Sequence, residues 1–322
     1  MASINEIQNR MKSIQDTMKI TKAMYMMSSM KLRKAKQKLE DTEPYFYGLQ
    51  EQIANILYHF PDMENRYFDN RNQDRMETVK KKGIIVMTGD KGMAGAYNHN
   101  LVKEAQRLCD ESECYRLFVV GEVGRQYFKS QGYPVEEEFR FSTNRPSVHR
   151  ARVITELIVE LCKQDELDEV YVIYTRMINS MKEEVEIQQL LPLKTHEFLK
   201  QEKLEQLKKR QVMHNESLYE KDEEKGIDDG DFFIYPSPKK VLDSLVYNYV
   251  TGFLYGALVE ASASEENARM LAMQAATDNA QEMLHDLSIQ YNRVRQAAIT
   301  QEITEVIGGA KALKKKKKKQ VR

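Results

Sequence analysis

Proline is confined to the middle of this chain, and that confinement sets what its two ends can become. All seven prolines fall between Pro44 and Pro238, and no glycine precedes Gly48. Proline inside a helix costs about 3 kcal/mol relative to alanine. Both ends are therefore free to form long helices, while the middle holds the turns.

Each end also carries the pattern that such a helix needs. Ile4, Ile7, Met11, Ile14, Met18, Thr21, Tyr25, Ser28, Leu32, Ala35 and Leu39 alternate in steps of three and four, the period of a coiled-coil seam. Thr21, Ser28 and Ala35 make the seam small and partly polar, and Ile20, Met24 and Met27 add a second apolar flank. The spacing predicts a helix over residues 3–43, roughly 60 Å long, continuing to residue 59 with a kink at Pro44.

At the other end Met270, Met273, Thr277, Ala280, Leu284, Leu287, Tyr291, Val294 and Ala298 repeat the same steps. That pattern runs from Lys239 to Ile307, and Gly308-Gly309 reads as its stop. Gly252 and Gly256 share a helix face and predict the close approach of another element. Neither helix can bury its stripe alone. A chain that goes out along one and returns along the other pairs them antiparallel. The surplus of the longer C-terminal helix then lies against the middle or stands alone.

The middle reads as α/β. GIIVMT (83–88), RLFVVG (116–121) and EVYVIYT (169–175) are short apolar runs, as buried parallel strands are. EVEIQQLLPL (184–193) alternates and reads as a further strand. Amphipathic stretches separate them. The expectation is a small doubly wound, Rossmann-like sheet without a clear nucleotide fingerprint. The predicted organisation is a helix over 1–59, an α/β domain over 75–193, a charged connection over 194–238, a helix over 239–313 and a lysine-rich tail over 314–322.

Composition narrows the function classes. Apolar residues make up 41% and charged residues 30% of the 322, which favours much surface per residue over one spherical core. Lys+Arg and Asp+Glu balance at 49 each, which argues against a globally basic nucleic-acid binder. Three cysteines, Cys109, Cys114 and Cys162, do not make a disulfide framework. The sequence shows no bilayer-length apolar run and no secretory or organelle leader at its start, so membrane association is expected only through partners.

The motifs offer little chemistry. TGDKGMAGA (88–96) sits between a strand and a helix, where phosphates often bind. Its glycines match neither the Walker A pattern nor G-x-G-x-x-G, and a tight turn that presents Lys91 to a partner is the preferred reading. The six histidines form no metal motif. Met24, Met26, Met27 and Met30 cluster on more than one helix face, which suits core filling and an adaptable partner surface equally. The residues leave open a coiled-coil scaffold that docks through its basic ends and an enzyme built on the small α/β domain.

Longer runs resemble a known family. ASINEIQNRMKSIQDTMKITKAMYMMSSMKLRKA (2–35), GDKGMAGAYNHNL (89–101), QQLLPL (188–193), FFIYPSPKKVLDSL (232–245) and the run 257–310, with ATDNA (276–280) and RQAAITQEITEVIGGA (295–310) its most specific parts, are similar to the gamma subunit of F-type ATP synthases. The resemblance covers nearly the whole chain. It implies an antiparallel coiled coil of the two termini, with an α/β domain around its lower part. It also implies a rotating shaft inside a ring of alpha and beta subunits, seated on the c-ring beside the epsilon subunit. Such a shaft couples proton or sodium flow to ATP synthesis, holds no cofactor and breaks no bond itself.

By the same resemblance, contacts to beta-subunit loops fall on Lys91, Arg295, Gln296 and Thr300. The shaft surface includes Met24 and Met27, and the foot toward the c-ring falls on Asp231 and Tyr235. The implied location is the cytoplasmic side of a bacterial cell membrane. The chain departs from the family at Lys91, where arginine is usual, at Tyr25 and Ser28-Ser29, where lysine or alanine is more usual, in a long charged connection over 194–231, and in the tail KKKKKKQVR (314–322).

Overall fold

The three-and-four alternation at each end folds into a long helix. The structure, a computed structural model, describes residues 4–61, 63, 65–69, 79–179, 182–199 and 234–320. Its elements are α1 (Ile4–His59), β1 (Lys82–Met87), α2 (Tyr97–Asp110), β2 (Tyr115–Val120), α3 (Glu122–Ser130), α4 (Val148–Lys163), β3 (Glu169–Met177), β4 (Glu183–Leu191), α5 (Thr195–Leu199) and α6 (Pro238–Gln320). The chain divides into two compact units. One is Met1–Ser28 with Met270–Arg322, and the other is Ser29–Arg269.

In the first unit the N-terminal part of α1 packs on the C-terminal part of α6. Ile7, Thr21 and Ser28 are buried from one side, and Met273, Ala280 and Leu287 from the other. The remaining seam positions are half-buried. Gln8 Nε2 donates to the Tyr291 hydroxyl at 3.0 Å, and Thr21 and Thr277 meet at 2.8 Å. A step forward in α1 is thus matched by a step back in α6, which makes the pair antiparallel. Residues 301–311 are exposed on all sides.

The predicted stop at Gly308-Gly309 is corrected: α6 runs through both glycines to Gln320. Each glycine costs about 1 kcal/mol in a helix. Ala310, Lys311, Ala312, Leu313 and the lysines beyond are strong helix formers, and no proline follows to end the run. Pro44 likewise lies within α1, which continues to His59.

In the second unit a four-stranded sheet has the order β2-β1-β3-β4. β1 pairs parallel with both β2 and β3. Ile84, Ile85, Val86 and Met87 are fully buried, as central strands covered on both faces are. α2 supplies Tyr97, Leu101, Val102, Ala105 and Cys109 to the core from positions three and four apart. α4 begins at Ser147, whose side chain accepts the Arg150 amide at 3.3 Å. β4 is antiparallel to β3 and forms the edge. A link as short as the one after Met177 can join only antiparallel neighbours, so the sheet is mixed and not wholly parallel.

The 29–59 part of α1 and the 238–269 part of α6 belong to this unit as well. Phe46 stacks on Tyr249 with ring centroids 4.9 Å apart. A Cβ built on Gly252 would lie 3.2 Å from Phe46 Cδ2, so the expected close approach is real there. At Gly256 it is absent: among the described residues nothing lies within 4 Å of a Cβ at that position. Leu254, Tyr255, Ala257, Leu258, Val259, Ala261 and Ala263 are all buried, so this stretch of α6 is covered around most of its circumference. Thr251 donates to the Thr155 hydroxyl on α4 at 3.2 Å. This part of the longer helix therefore lies against the α/β layer.

Candidate functional site

The loop 88–96 joins β1 to α2, and its backbone is held from several sides. The Thr88 amide and hydroxyl both donate to the Val120 carbonyl at 2.9 Å, and the hydroxyl accepts the Gly124 amide at 3.0 Å. Gly121 has φ +92°, and a Cβ there would fall 2.2 Å from the Thr88 oxygen, so no other residue fits. The Gly89 amide donates to Asn98 Oδ1 at 2.8 Å, and its carbonyl accepts the Val123 amide at 3.1 Å. Asp90 Oδ2 accepts the Ser142 hydroxyl and, at 3.0 Å, the Asn144 amide. Met93 (φ +61°) and Gly95 (φ +55°) turn the chain back into α2. Lys91, Gly92 and Met93 stand exposed at the tip.

In an open α/β sheet a ligand binds beyond the carboxyl ends of the strands, where strand order reverses. Here that crevice lies between β1 and β3, and α6 occupies it. Ser264 Oγ donates to the Thr175 carbonyl at the end of β3 at 2.9 Å. The Tyr97 hydroxyl donates to the Ala261 carbonyl at 3.0 Å. Burial pushes the Tyr97 phenol well above its ordinary pKa, and the Glu265 charge adds to this. The Glu265 carboxyl packs on Gly89 so closely that a Cβ would lie 2.8 Å from its Cδ. A carboxylate at that glycine takes the space an incoming phosphate would need and repels its charge. The loop is filled from behind by the chain's own helix and presents Lys91 outward.

Glu265 belongs to a buried ionic cluster. Arg269 Nη2 bonds Glu265 Oε1 at 2.5 Å, and Arg269 Nη1 lies 3.1 Å from Glu266 Oε1. Lys31 Nζ reaches the same Glu266 oxygen at 2.7 Å. Thr143 Oγ1 donates to Glu265 Oε2 at 3.4 Å, and Arg269 Nη2 approaches the Lys91 carbonyl at 3.4 Å. Burial raises the Glu265 carboxyl pKa, and the Arg269 guanidinium partly opposes this. Sequence reading missed this cluster. Its signal was a Glu and an Arg four apart inside a stretch of α6 whose neighbours are small and apolar.

The structure places the other anticipated contact residues as follows. Arg295, Gln296 and Thr300 are exposed and lie within two turns of α6. The Arg295 guanidinium lies 5.9 Å from the Tyr291 ring centroid, and the Thr300 hydroxyl donates to the Gln296 carbonyl at 2.8 Å. Lys91 belongs to the other compact unit. Met24 is half-buried, and Met27 is 51% exposed. Tyr235 is 93% exposed, and Asp231 lies outside the described residues. Among the described residues, no cluster of His, Cys, Asp and Glu offers a metal site, and no helix is long and apolar enough to cross a membrane.

A family profile described as ATP synthase matches residues 3–313. The ATP synthase gamma chain of Acetivibrio thermocellus is 44% identical over 98% of this chain and all of that one. The sodium-ion-specific gamma chain of Acetobacterium woodii is 37% identical over 97% of this chain and 99% of that one. Among solved structures, a chain of the Euglena gracilis mitochondrial ATP synthase OSCP/F1/c-ring assembly aligns with TM-score 0.60 at 16% identity, over 96% of this chain and 94% of that one. A chain of the Tetrahymena thermophila central stalk and c-ring aligns with TM-score 0.53 at 24% identity, over 80% of this chain and 99% of that one. At these identities the structural likeness concerns the fold.

Proposed function

The chain belongs to the ATP synthase gamma-chain family, and we propose that it is the central rotor shaft of an ion-translocating ATP synthase. The observation that carries this reading is the similarity to named gamma chains from end to end, joined to an antiparallel pair formed by the two ends of one chain. The chain itself is a non-catalytic subunit. Its part is mechanical: a turning c-ring rotates the shaft, and its asymmetry drives the beta subunits through different nucleotide affinities.

The residues suit that work. Two helices bound along a seam resist bending better than one. A shaft that turns in a sleeve must adhere weakly, and exposed methionine offers an adaptable, non-directional surface. Polar contacts at a few angles then mark preferred positions. Lys91, Arg295, Gln296 and Thr300 are the side chains for those contacts, with acidic loops of the beta subunits opposite. An exposed ion pair contributes on the order of 1 kcal/mol or less, which suits contacts that must break at every turn. Lysine at 91 supplies a point charge without the bidentate fork of arginine.

The remaining partners in this reading are the alpha subunits, the epsilon subunit and the c-ring, with Asp231 and Tyr235 in the foot. The chain would sit peripherally on the cytoplasmic side of the cell membrane, held there by the complex. Gentle solubilisation and isolation of the native particle tests the proposal. This polypeptide should co-purify with alpha, beta, epsilon and c subunits, and alone it should hydrolyse no ATP. Intact, active particles that lack it would sink the reading.

A further inference from the structure

We infer that Arg269 and Glu265 are positioning residues for Lys91, clamping loop 88–96 to the long helix α6 so that the loop tip follows the helix. This deepens the reading above and rests on Lys91 being a contact to a partner.

Four elements of one compact unit meet at this cluster. α6 supplies Glu265, Glu266 and Arg269, and α1 supplies Lys31, whose ammonium lies 2.7 Å from Glu266. Loop 88–96 supplies the Gly89 surface, on which the Glu265 carboxyl rests, and the Lys91 carbonyl, 3.4 Å from Arg269 Nη2. The segment 142–144 supplies Thr143, which donates to Glu265, while Ser142 and the Asn144 amide hold Asp90 on the same loop. Glu265 and Arg269 are more than nine-tenths buried, and Lys91 is exposed.

The geometry divides labour. The Lys91 ammonium is free to meet a partner, while its backbone is tied to the helix that turns. Residues 88–90 are held by β2, α3 and the segment 142–144, and among the described hydrogen bonds the tie on Lys91 is the one from Arg269. A loop with two left-handed residues and no regular secondary structure has several backbone options, and a contact made at a fixed angle needs only one of them. A buried guanidinium serves this purpose because one planar fork reaches two carboxylates and a carbonyl at once. Breaking such a cluster by removing one member leaves a buried charge without its partner, so the conservative variants are the informative ones.

The test uses assembled particles that carry R269K, which keeps the charge and gives up the fork. Amide exchange over residues 90–96 should rise about tenfold, while the α2 amides at 100–108 stay unchanged. ATP-driven ion pumping per ATP hydrolysed should fall as it does in K91A, and K91A/R269K should fall no further than K91A. E265Q, which keeps the shape and removes the charge, should raise exchange at 90–96 in the same way and serves if R269K fails to assemble. Unchanged exchange at 90–96 would overturn the inference. So would a K91A/R269K loss equal to the product of the two single losses. If K91A lowers coupling and R269K does not, the inference alone falls. If K91A has no effect, the contact role of Lys91 falls and takes the inference with it.

Discussion

The hydroxyls of Thr21 and Thr277, 256 positions apart in sequence, lie 2.8 Å from each other in the seam between α1 and α6. Thr277 also reaches the Met273 carbonyl at 2.8 Å, and Thr21 the Met18 carbonyl at 3.1 Å. Two hydroxyl protons thus serve three contacts, and Met18 and Met273 flank the pair along the seam. A polar pair inside a coiled-coil seam favours one register, because slipping would leave a hydroxyl against a methyl. Thr21→Val or Thr277→Val alone should lower stability by about 0.5–1.5 kcal/mol, the usual net worth of one such bond. The double valine variant should recover most of that loss, since the polar partners are removed together. Chemical unfolding of the three variants checks this; a double variant weaker than either single would contradict it.

Gly252 and Gly256 separate two effects of adding a methyl group. At 256 the space is open, so Gly256→Ala should stabilise α6 by up to about 1 kcal/mol through helix propensity. At 252 the new methyl would press on Phe46, which is itself stacked on Tyr249 and edge-on to Tyr47. Gly252→Ala should therefore be neutral or destabilising. Thermal unfolding that showed an equal gain from both would mean that Phe46 yields freely.

The cysteines should differ sharply in reactivity. Burial, with the Asp110 charge adding to it, pushes the Cys109 thiol up to about 12, whereas Cys114 is exposed. The thiolate is the nucleophile, so Cys109 should resist maleimide at pH 7.5 in the folded chain while Cys114 labels within minutes. Mass mapping after a short pulse distinguishes the two.

Glu183 links stability to pH. Burial raises its carboxyl pKa, partly opposed by the hydrogen bond from Asn267 Nδ2 at 2.9 Å. A carboxyl raised on folding favours the folded state while it is protonated. Its contribution is complete below the unperturbed glutamate value of about 4.3 and is lost as pH rises through the raised value. Glu183→Gln never ionises and keeps an oxygen for Asn267. It should match the parent at the acid end and exceed it at pH 7. Equal urea midpoints at pH 7 would refute the assignment.

Gln296→Ala and Thr300→Ala test the proposed contacts on α6. Both side chains are exposed, and the Thr300 hydroxyl bonds only within its own helix among the described contacts, so folding should be unaffected within about 0.5 kcal/mol. Ion pumping driven by ATP should fall relative to ATP hydrolysis. Unchanged pumping in both variants would remove these residues from the interface.

Much of the scaffold was legible before any coordinates. All eleven N-terminal seam positions and all nine C-terminal ones are buried or half-buried, because a heptad period allows only one stripe to meet a partner. The three buried parallel strands were legible as short apolar runs between turns. The direction of β4 was not read, since alternation marks a strand and says nothing of its neighbour's direction. The end of α6 was misread because two glycines weaken a helix without breaking it when strong helix formers flank them. The Glu265–Arg269 cluster was hidden for another reason. Charges in a helix normally mark a solvent face, and only packing against loop 88–96 turns them inward.

Periodicity and the scarcity of helix breakers at both ends were enough to establish two long helices with complementary stripes around an α/β middle. Those are local properties, carried by neighbours three or four residues apart. Which carboxylate lies under Gly89, that α6 fills the crevice between β1 and β3, and that Gly252 is crowded while Gly256 is free depend on residues far apart in sequence. Such contacts arise only when separate elements pack, and no local pattern encodes the partner.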